Sequence, residues 1–368
     1  MSKLISIFSI TSDFVSYHRK REVLALAEQG KASQVKVHYF NRPRFVFSRG
    51  KKEKDSQVEI RDLYTLLPLS IAFKHRVLLW LFVTVPIYLQ LQLLRIVSGV
   101  ATNDSYHLFY KPDQSLYLPK HNNIYIHYDN YSADKGYFFA QQRQFESVLN
   151  DCVRNSDMTC FSSRRLMVDL GYESLNNVYV YPNAISRDLV PSQLISQLKD
   201  NSEKVIGFVG QLDESFDLEL AVHLVEKFPD YKFRFIGPVK VDEYQKVLER
   251  YSNVELMGYV DYALLPNYLA TFDLAVCLYK PNKFNRYRNP LKIYEYFSYG
   301  IPVVTTDCDL EADVASLLSV VNDHNAFSNA VVSQIENNTS ERIIARATLA
   351  RKNCWDDRAN FLIEKLCG

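Results

Sequence analysis

Several absences in the sequence narrow the classes of protein that it can represent. It has no Cys-x-x-Cys pair, no zinc-ligand spacing, no internal repeat and no low-complexity tract. Its net charge of +1, from 43 basic and 42 acidic side chains, argues against a nucleic-acid binder. No Gly-x-Gly-x-x-Gly loop follows the first apolar strand pattern, so a strong dinucleotide fingerprint is missing. The first residues lack a long apolar core followed by a cleavage site, and we therefore expect no secretory signal.

The cysteines are typical of a cytosolic protein. Because none is paired at a metal-binding or redox spacing, we expect reduced and mostly buried thiols. They are Cys152, Cys160, Cys277, Cys308, Cys354 and Cys367.

The composition is that of a globular protein, with 368 residues, 47% hydrophobic and 23% charged, and the length allows two domains. Strand patterns at 4–10 and 35–40 flank a helical pattern at 18–28 that stops at Gly30, which predicts a doubly wound α/β domain. After a polar stretch, strand and helix patterns alternate again from Lys204. We therefore predict domains over 1–194 and 195–345, with a helical tail over 346–368.

A helix with both ends marked lies within the segment 289–306. Asn289 is a favourable N-cap, and Pro290 suits the first helical position, where a missing N–H costs nothing. Gly300 stands where a left-handed residue closes a helix, and the apolar run 301–304 predicts a short buried strand. A helix start of this kind presents free N–H groups and partial positive charge, which suit a phosphate.

Two side chains add chemistry to this helix start. Lys292 lies in the first turn and supplies a full positive charge, and Glu295 follows on the same face three residues later. A carboxylate there can accept hydrogen bonds from a ribose diol while the helix end holds phosphates. The alternative is an amphipathic helix with one solvated Lys–Glu pair.

The segment 290–304 resembles the donor-nucleotide motif of GT-B glycosyltransferases, in particular bacterial enzymes that build capsule, exopolysaccharide or teichuronic acid. The resemblance continues over 206–210, 217–220 and 235–238, and it is weaker in the N-terminal half. It implies an α/β fold of two facing Rossmann-like, doubly wound domains with the active site between them. It also implies that the tail over 346–368 crosses back to the first domain.

The resemblance further implies an activity. We expect transfer of a hexose from a nucleotide sugar, with UDP as the expected nucleotide, to a lipid-linked or oligosaccharide acceptor in bacterial surface polysaccharide synthesis. Two other functions stay open: a nucleotide-sugar 2-epimerase, which shares the fold, and a catalytically silent GT-B partner subunit. No metal or other cofactor is expected, because fixed cations and the helix dipole can neutralise the leaving diphosphate.

Donor binding is expected at two glycines that follow strands, Gly210 and Gly237, where a ligand can approach the backbone. Many retaining relatives place Arg and Lys just after the first of these loops, whereas here 211–216 carries no cation. We expect the missing charge from the basic segment before the marked helix, for which a solvated surface is the alternative. The expected donor-binding cations of this segment are Lys280, Arg286 and Arg288.

Catalytic residues are expected in the N-terminal half. A strand pattern at 124–128 leads to Asp129 and Asp134, and α/β ligands bind at the carboxyl ends of parallel strands. Asp129 is the first candidate for a general base and Asp134 the second, with helix capping as the alternative for either. The family's paired-glutamate motif has Tyr287 at its first position, so the stereochemistry of transfer stays open.

His18 and Arg19 at the start of the first helix can bind an acceptor phosphate or form a solvated helix start. Residues 41–54 form a basic loop, and residues 77–97 contain one charge over a length that nearly spans a bilayer. A buried core helix, an interfacial helix and a true span are the three interpretations of 77–97. Together the two segments are typical of a cytoplasmic protein that binds the anionic inner face of the cell membrane.

Overall fold

The computed structural model describes residues 3–11, 14, 19–48, 53–131, 142–192, 203–282 and 284–367. The chain divides into two units, one formed by Met1–Pro182 with Trp355–Gly368 and the other by Asn183–Cys354. The expected domain boundary near residue 195 falls among residues 193–202, outside the described residues.

The first unit is built on a seven-stranded parallel sheet in the order β4-β2-β1-β6-β7-β8-β9, and β3 and β5 form a separate parallel pair. The strands are β1 Lys3–Phe8, β2 Val35–Phe40, β3 Arg44–Phe45, β4 Glu59–Arg61, β5 Tyr64–Thr65, β6 Ser105–Phe109, β7 Asn123–His127, β8 Met158–Phe161 and β9 Val178–Val180. The helices are α1 Lys20–Ala32, α2 Leu69–Ala72, α3 Arg76–Leu79, α4 Val85–Val97, α5 Gln142–Asn155, α6 Arg164–Asp169 and, from the end of the chain, α14 Trp355–Cys367. The doubly wound first half is thus confirmed.

The predicted stop of the first helix at Gly30 is wrong, because α1 continues to Ala32. A Cβ added to Gly30 would lie 2.7 Å from the carbonyl oxygen of Val35. The glycine therefore lets the helix approach the start of β2 closely and does not end it.

Residues 76–97 form one continuous helix, in which a single π-helical turn, Trp80–Thr84, joins α3 to α4. Pro86 lacks an N–H group, and the wider π turn accommodates it without a break in the helix. One face is buried in the core, at Leu79, Val83, Ile87, Leu91 and Leu94.

The opposite face of this helix is apolar and exposed, at Val77, Leu81, Leu89, Leu93, Ile96 and Val97. By length and composition alone the helix is suited to cross a membrane, with a mean hydropathy of 1.9 and only 28% of its most apolar window buried. The buried-core interpretation of 77–97 is therefore wrong for its outer face.

The second unit is built on a six-stranded parallel sheet in the order β12-β11-β10-β13-β14-β15, a doubly wound arrangement that reverses direction between β10 and β13. The strands are β10 Val205–Val209, β11 Lys232–Ile236, β12 Val254–Leu256, β13 Leu274–Cys277, β14 Val303–Thr305 and β15 Ser319–Val320. The helices are α7 Leu218–Lys227, α8 Asp242–Leu248, α9 Leu265–Leu269, α10 Leu291–Ser298, α11 Ala312–Ala315, α12 His324–Glu336 and α13 Ser340–Arg351. The alternating pattern predicted from Lys204 onward is confirmed.

Apolar side chains cover the faces of both sheets. In the second unit, α10 contributes Ile293, Tyr296 and Phe297 to one core cluster, and all three are buried. This burial fixes the orientation of the helix that carries Lys292 and Glu295. The cysteines whose side chains the structure describes are buried thiols outside any disulfide, as predicted.

Candidate functional site

A group of polar side chains lies where the strand order of the six-stranded sheet reverses. Gly210 follows β10, and Tyr279 lies just after β13, its neighbour across the reversal. In open α/β sheets ligands bind outside the carboxyl ends of the strands at such a reversal. The order of the strands alone therefore indicates where a ligand binds in this unit, and the side chains there form the candidate site.

Two glycines allow two backbone loops to touch at this point. A Cβ added to Gly237, after β11, would lie 2.0 Å from the carbonyl oxygen of Gly210. A Cβ added to Gly210 would lie 2.4 Å from the Nζ atom of Lys292. Their φ angles of +147° for Gly210 and +138° for Gly237 also disfavour other residues. The glycines thus leave room for the crossing of the loops and for the ammonium group.

Lys292 and Arg288 place two cations around one aromatic ring. The Nζ atom of Lys292 lies 4.4 Å from the ring centroid of Phe208 and 5.2 Å from that of Tyr279. The guanidinium of Arg288 lies 4.9 Å from the same Tyr279 centroid. Burial lowers the pKa of Lys292, and repulsion from Arg288 lowers it further. A bound anion would offset both effects, so this spot suits a diphosphate.

Glu295 is a buried carboxyl group on the same helix, with 5% of its surface exposed. Burial raises its pKa to about 7, although Lys292 and a hydrogen bond with Tyr262 act in the opposite direction. A carboxyl that titrates near neutral pH in an α/β ligand site is a functional candidate. The alternative interpretation of the sequence, in which Glu295 and Lys292 form a solvated ion pair, is therefore wrong, because Glu295 is buried.

The rest of α10 holds these side chains in place. The hydroxyl of Tyr296 accepts a hydrogen bond of 2.8 Å from the backbone N–H of Val209, at the end of β10. Gly300 has a φ of +71°, and the bonds Gly300 N to Phe297 O and Ile301 N to Tyr296 O close the helix in a Schellman motif. The predicted helix end is therefore confirmed.

The predicted helix start is displaced by one residue. Pro290 occupies the cap position, and α10 begins at Leu291 without a side-chain cap. The amide of Asn289 instead accepts a hydrogen bond of 3.0 Å from the backbone N–H of Asn183 and donates one of 3.2 Å to the carbonyl of Asp309. Asn289 as N-cap is therefore wrong, because its side chain bonds to these two backbone groups instead.

The other two expected donor cations lie differently. The ammonium of Lys280 donates a hydrogen bond of 2.9 Å to the hydroxyl of Tyr244 on α8. Arg286 is exposed on a short 3₁₀ turn, with its guanidinium 5.8 Å from the ring centroid of Tyr287. The structure thus brings together Gly210, Gly237, Arg288, Lys292 and Glu295, and donor binding by Lys280 and Arg286 stays a prediction.

Asp129 lies two residues after β7 in the first unit and is half-buried. Its Oδ1 atom accepts a hydrogen bond of 3.0 Å from the backbone N–H of Asn130, and its carbonyl accepts one from Tyr131. Its position at the carboxyl end of a parallel strand agrees with the sequence pattern, and its role as a base stays a prediction. Asp134 and His18 lie outside the described residues.

Arg19 is buried, with 3% of its surface exposed, so the alternative of a solvated helix start is wrong for this residue. Its Nε atom lies 2.6 Å from Oε2 of Glu22. Its guanidinium also lies close to three aromatic rings, with distances to the ring centroids of 5.3 Å for Tyr110, 4.9 Å for Tyr128 and 5.2 Å for Trp355. Binding of an acceptor phosphate by Arg19 stays a prediction. Tyr128 directly precedes Asp129, so Arg19 supports the backbone that carries the candidate base.

Comparisons with known proteins identify relatives of this chain. Residues 203–337, which include every member of the group around Lys292, match the family of glycosyl transferases group 1. TuaH of Bacillus subtilis (strain 168), which is named as a teichuronic acid biosynthesis glycosyltransferase, is 30% identical to this chain over 106 residues. That match spans 28% of this chain and 26%, about a quarter, of the relative.

Solved structures resemble the whole chain. Sucrose-phosphate synthase from Thermosynechococcus elongatus has a TM-score of 0.69 at 14% identity, over 99% of this chain and 98% of that one. HepE from Anabaena, solved in complex with UDP and glucose, has a TM-score of 0.63 at 13% identity over the full length of both chains. The fold is therefore that of the GT-B glycosyltransferases, as predicted. Within it, the second unit carries a group 1 glycosyl transferase domain.

Proposed function

We propose that the protein is a hexosyltransferase that uses a UDP-linked sugar and a lipid-linked or oligosaccharide acceptor in bacterial surface polysaccharide synthesis. The observation that carries the proposal is the group at the reversal of the six-stranded sheet. There Gly210 and Gly237 have no side chain that would block the backbone. Lys292 and Arg288 carry positive charge at one aromatic ring, and Glu295 is a buried carboxyl group. The name of TuaH and the UDP bound by HepE support this substrate class.

Each member of the group has a distinct role in the proposal. Lys292, Arg288 and the start of α10 hold the diphosphate and neutralise the charge that develops on it as the sugar leaves. Glu295 accepts hydrogen bonds from the ribose hydroxyls. Lys280 and Arg286 add positive charge to the segment that leads from β13 to α10. These fixed cations replace a metal ion in the proposed mechanism.

The acceptor side of the proposal is Asp129, with Asp134 as the second candidate. In an inverting transfer, Asp129 takes the proton from an acceptor hydroxyl while that oxygen bonds to the anomeric carbon and the bond to UDP breaks. The buried Arg19 acts as a positioning residue through the ring of Tyr128.

We also propose that the protein lies in the cytoplasm and binds the inner face of the cell membrane. The exposed apolar face of the helix 76–97 is flanked at its start by the basic residues Lys74 and Arg76. Apolar area with adjacent cations is suited to an anionic bilayer surface. This face favours a transferase with a lipid-linked acceptor over a nucleotide-sugar 2-epimerase, whose substrate is soluble.

A two-part experiment tests the proposed function. Thermal shift with a panel of nucleotide sugars should show stabilisation by UDP sugars, because a ligand that binds only the folded state raises its stability by mass action. Release of UDP should then require an added lipid-linked acceptor. The Asp129→Asn variant should keep the thermal shift and lose turnover by about 10²–10⁴-fold. Epimerised UDP sugar formed without acceptor would replace the transferase with the epimerase, and binding without any turnover would indicate the silent subunit.

A further inference from the structure

We infer that a groove beside the helix 76–97 binds the hydrocarbon chain of a single-chain lipid phosphate. The groove lies within the first unit and has a volume of about 860 Å³. The helix 76–97 forms one wall, and the segment 116–121 with α5 forms the other. The inference rests on the proposed function in one respect, since this lipid would be the carrier of the acceptor.

The lining of the groove is mostly apolar. Leu79 and Leu118 are buried and form its floor, whereas Trp80 and Tyr88 are exposed along its edge. Tryptophan and tyrosine combine an apolar body with a polar tip and favour the boundary between hydrocarbon and water. The groove therefore has the composition of a site that holds an alkyl chain and opens at a membrane surface.

Cations at the groove fit a phosphate at the end of such a chain. Arg76 and Lys120 both line the groove and are exposed, and His121, which follows Lys120 in the sequence, also lines it. One acidic side chain, Asp151, also lines it. The positive charge exceeds the negative, which favours an anionic head group over a neutral one.

The groove is continuous with the exposed apolar face of the same helix. Trp80 lines the groove, and its neighbours Val77 and Leu81 are exposed apolar residues. A bilayer that contacts the helix would thus lie next to the groove, and a chain could enter from the side without crossing water.

The size and setting of the groove indicate one chain. A volume of about 860 Å³ lies within the range of sites for a single ligand. Two further cavities in the described part of this unit are smaller, at about 540 Å³ and 550 Å³, and neither shares a lining residue with the groove. We therefore assign the groove to a single-chain lipid phosphate, not to a two-chain phospholipid.

The two tryptophans of the sequence allow a direct test. Trp355→Phe leaves Trp80, at the edge of the groove, as the only tryptophan. Brominated hexadecyl phosphate, added below its micelle concentration and without a bilayer, should quench Trp80 saturably at one molecule per chain. Val148→Phe adds bulk to the wall formed by α5 and should weaken this binding by about tenfold or more. Thr84→Phe does the same from the opposite wall if Val148→Phe does not fold.

Two controls separate the groove from its surroundings. The double variant Leu89→Ser, Leu93→Ser changes only the outer face and should retain the quenching. The double variant Arg76→Ala, Lys120→Ala should weaken binding of the brominated phosphate but not of the matching brominated alcohol. Absence of quenching, equal affinity in the filled variants, or tighter binding of a brominated two-chain phosphatidylglycerol would overturn the inference. Thermal shift with UDP sugars in the same samples reports the proposed function separately, because its site lies in the other unit.

Discussion

At the residue scale, the two site glycines predict different consequences of substitution. Gly237→Ala places a methyl group 2.0 Å from the backbone carbonyl of Gly210, which cannot move away without opening the loop crossing. We expect a loss of about 2–4 kcal/mol in the free energy of unfolding. Gly210→Ala meets the flexible end of Lys292 at 2.4 Å, so it should displace the ammonium and weaken donor binding with a smaller loss of stability.

Urea unfolding and calorimetry with UDP-glucose measure the two effects. Gly258→Ala is the matched control, since Gly258 also has a positive φ of +63° but an added Cβ has no atom within 4 Å. It should cost about 1–2 kcal/mol of stability and leave donor affinity unchanged. Unchanged donor affinity in Gly210→Ala would show that Lys292 does not hold the donor.

The raised pKa of Glu295 predicts a pH dependence of donor binding. The ionised carboxylate is the form that accepts two hydrogen bonds from the ribose, so affinity for UDP-glucose should rise from pH 6 to pH 8 through the pKa of about 7. Below that pKa, affinity should fall towards tenfold per pH unit. The free energy of unfolding of the protein without ligand should instead fall as pH rises. A carboxyl whose pKa is raised on folding stabilises the folded state at low pH, and this contribution is lost as pH rises through 7.

Calorimetry of UDP-glucose binding over this pH range tests the prediction. The donor's diphosphate carries no proton that titrates there, and Glu295→Gln should give a flat profile. A flat profile in the native protein would place the ribose away from Glu295.

The sequence predicts those site residues that lie close together along the chain. Lys292, Glu295 and Gly300 follow from helix spacing and end signals, which are local. Phe208, Tyr262 and Tyr279 reach the same site from other strands and loops, and no local pattern places them there. The aromatic rings around Arg19 could not be predicted for the same reason, since Trp355 is more than 300 residues away from Arg19 in the sequence.

At the scale of elements, strands that are buried in a parallel sheet were predictable, because each is an apolar run bounded by turn residues. β10 is found at Val205–Val209, directly after Lys204, where the sequence predicts that the alternation of strands and helices begins. β3, β4 and β5 escape prediction because, unlike the equally short β14, none of them contains an apolar run. The helix 76–97 shows a further limit, since composition alone does not tell which face packs on the core.

The outer face of this helix predicts binding to liposomes. Replacing Leu89 and Leu93 by serine removes two exposed leucines, each worth about 1.5–3 kcal/mol if fully buried in lipid. Recovery by flotation with anionic liposomes should therefore fall strongly in the double variant. Ile344→Ser is the matched control, because Ile344 is an exposed apolar residue of α13 in the second unit. Equal recovery of the native protein with neutral and anionic lipid, unaffected by removal of charge at Lys74 and Arg76, would exclude the electrostatic part of membrane binding.

At the scale of the whole molecule, the first unit is completed by the end of the chain. α14 packs on α1, where Gln29 donates a hydrogen bond of 3.0 Å to Asp356, and Arg358 donates one of 3.0 Å to the carbonyl of Pro182. Composition and periodicity predicted a helical tail, and only the family resemblance predicted where it packs. The expected tail over 346–368 includes the end of α13, which belongs to the second unit.

The central claim is that a nucleotide sugar binds with its ribose on Glu295 and its diphosphate at Lys292. Calorimetry in a double cycle tests it, with UDP-glucose and its 2′-deoxyuridine analogue against the native protein and Glu295→Gln. A hydrogen bond to a charged group contributes about 1.5–3 kcal/mol, so each single change should weaken binding by roughly 10- to 150-fold. Because both changes remove the same interaction, the combined loss should be close to either single loss. Losses that simply add would contradict a contact between Glu295 and the ribose and, with it, the placement of the donor.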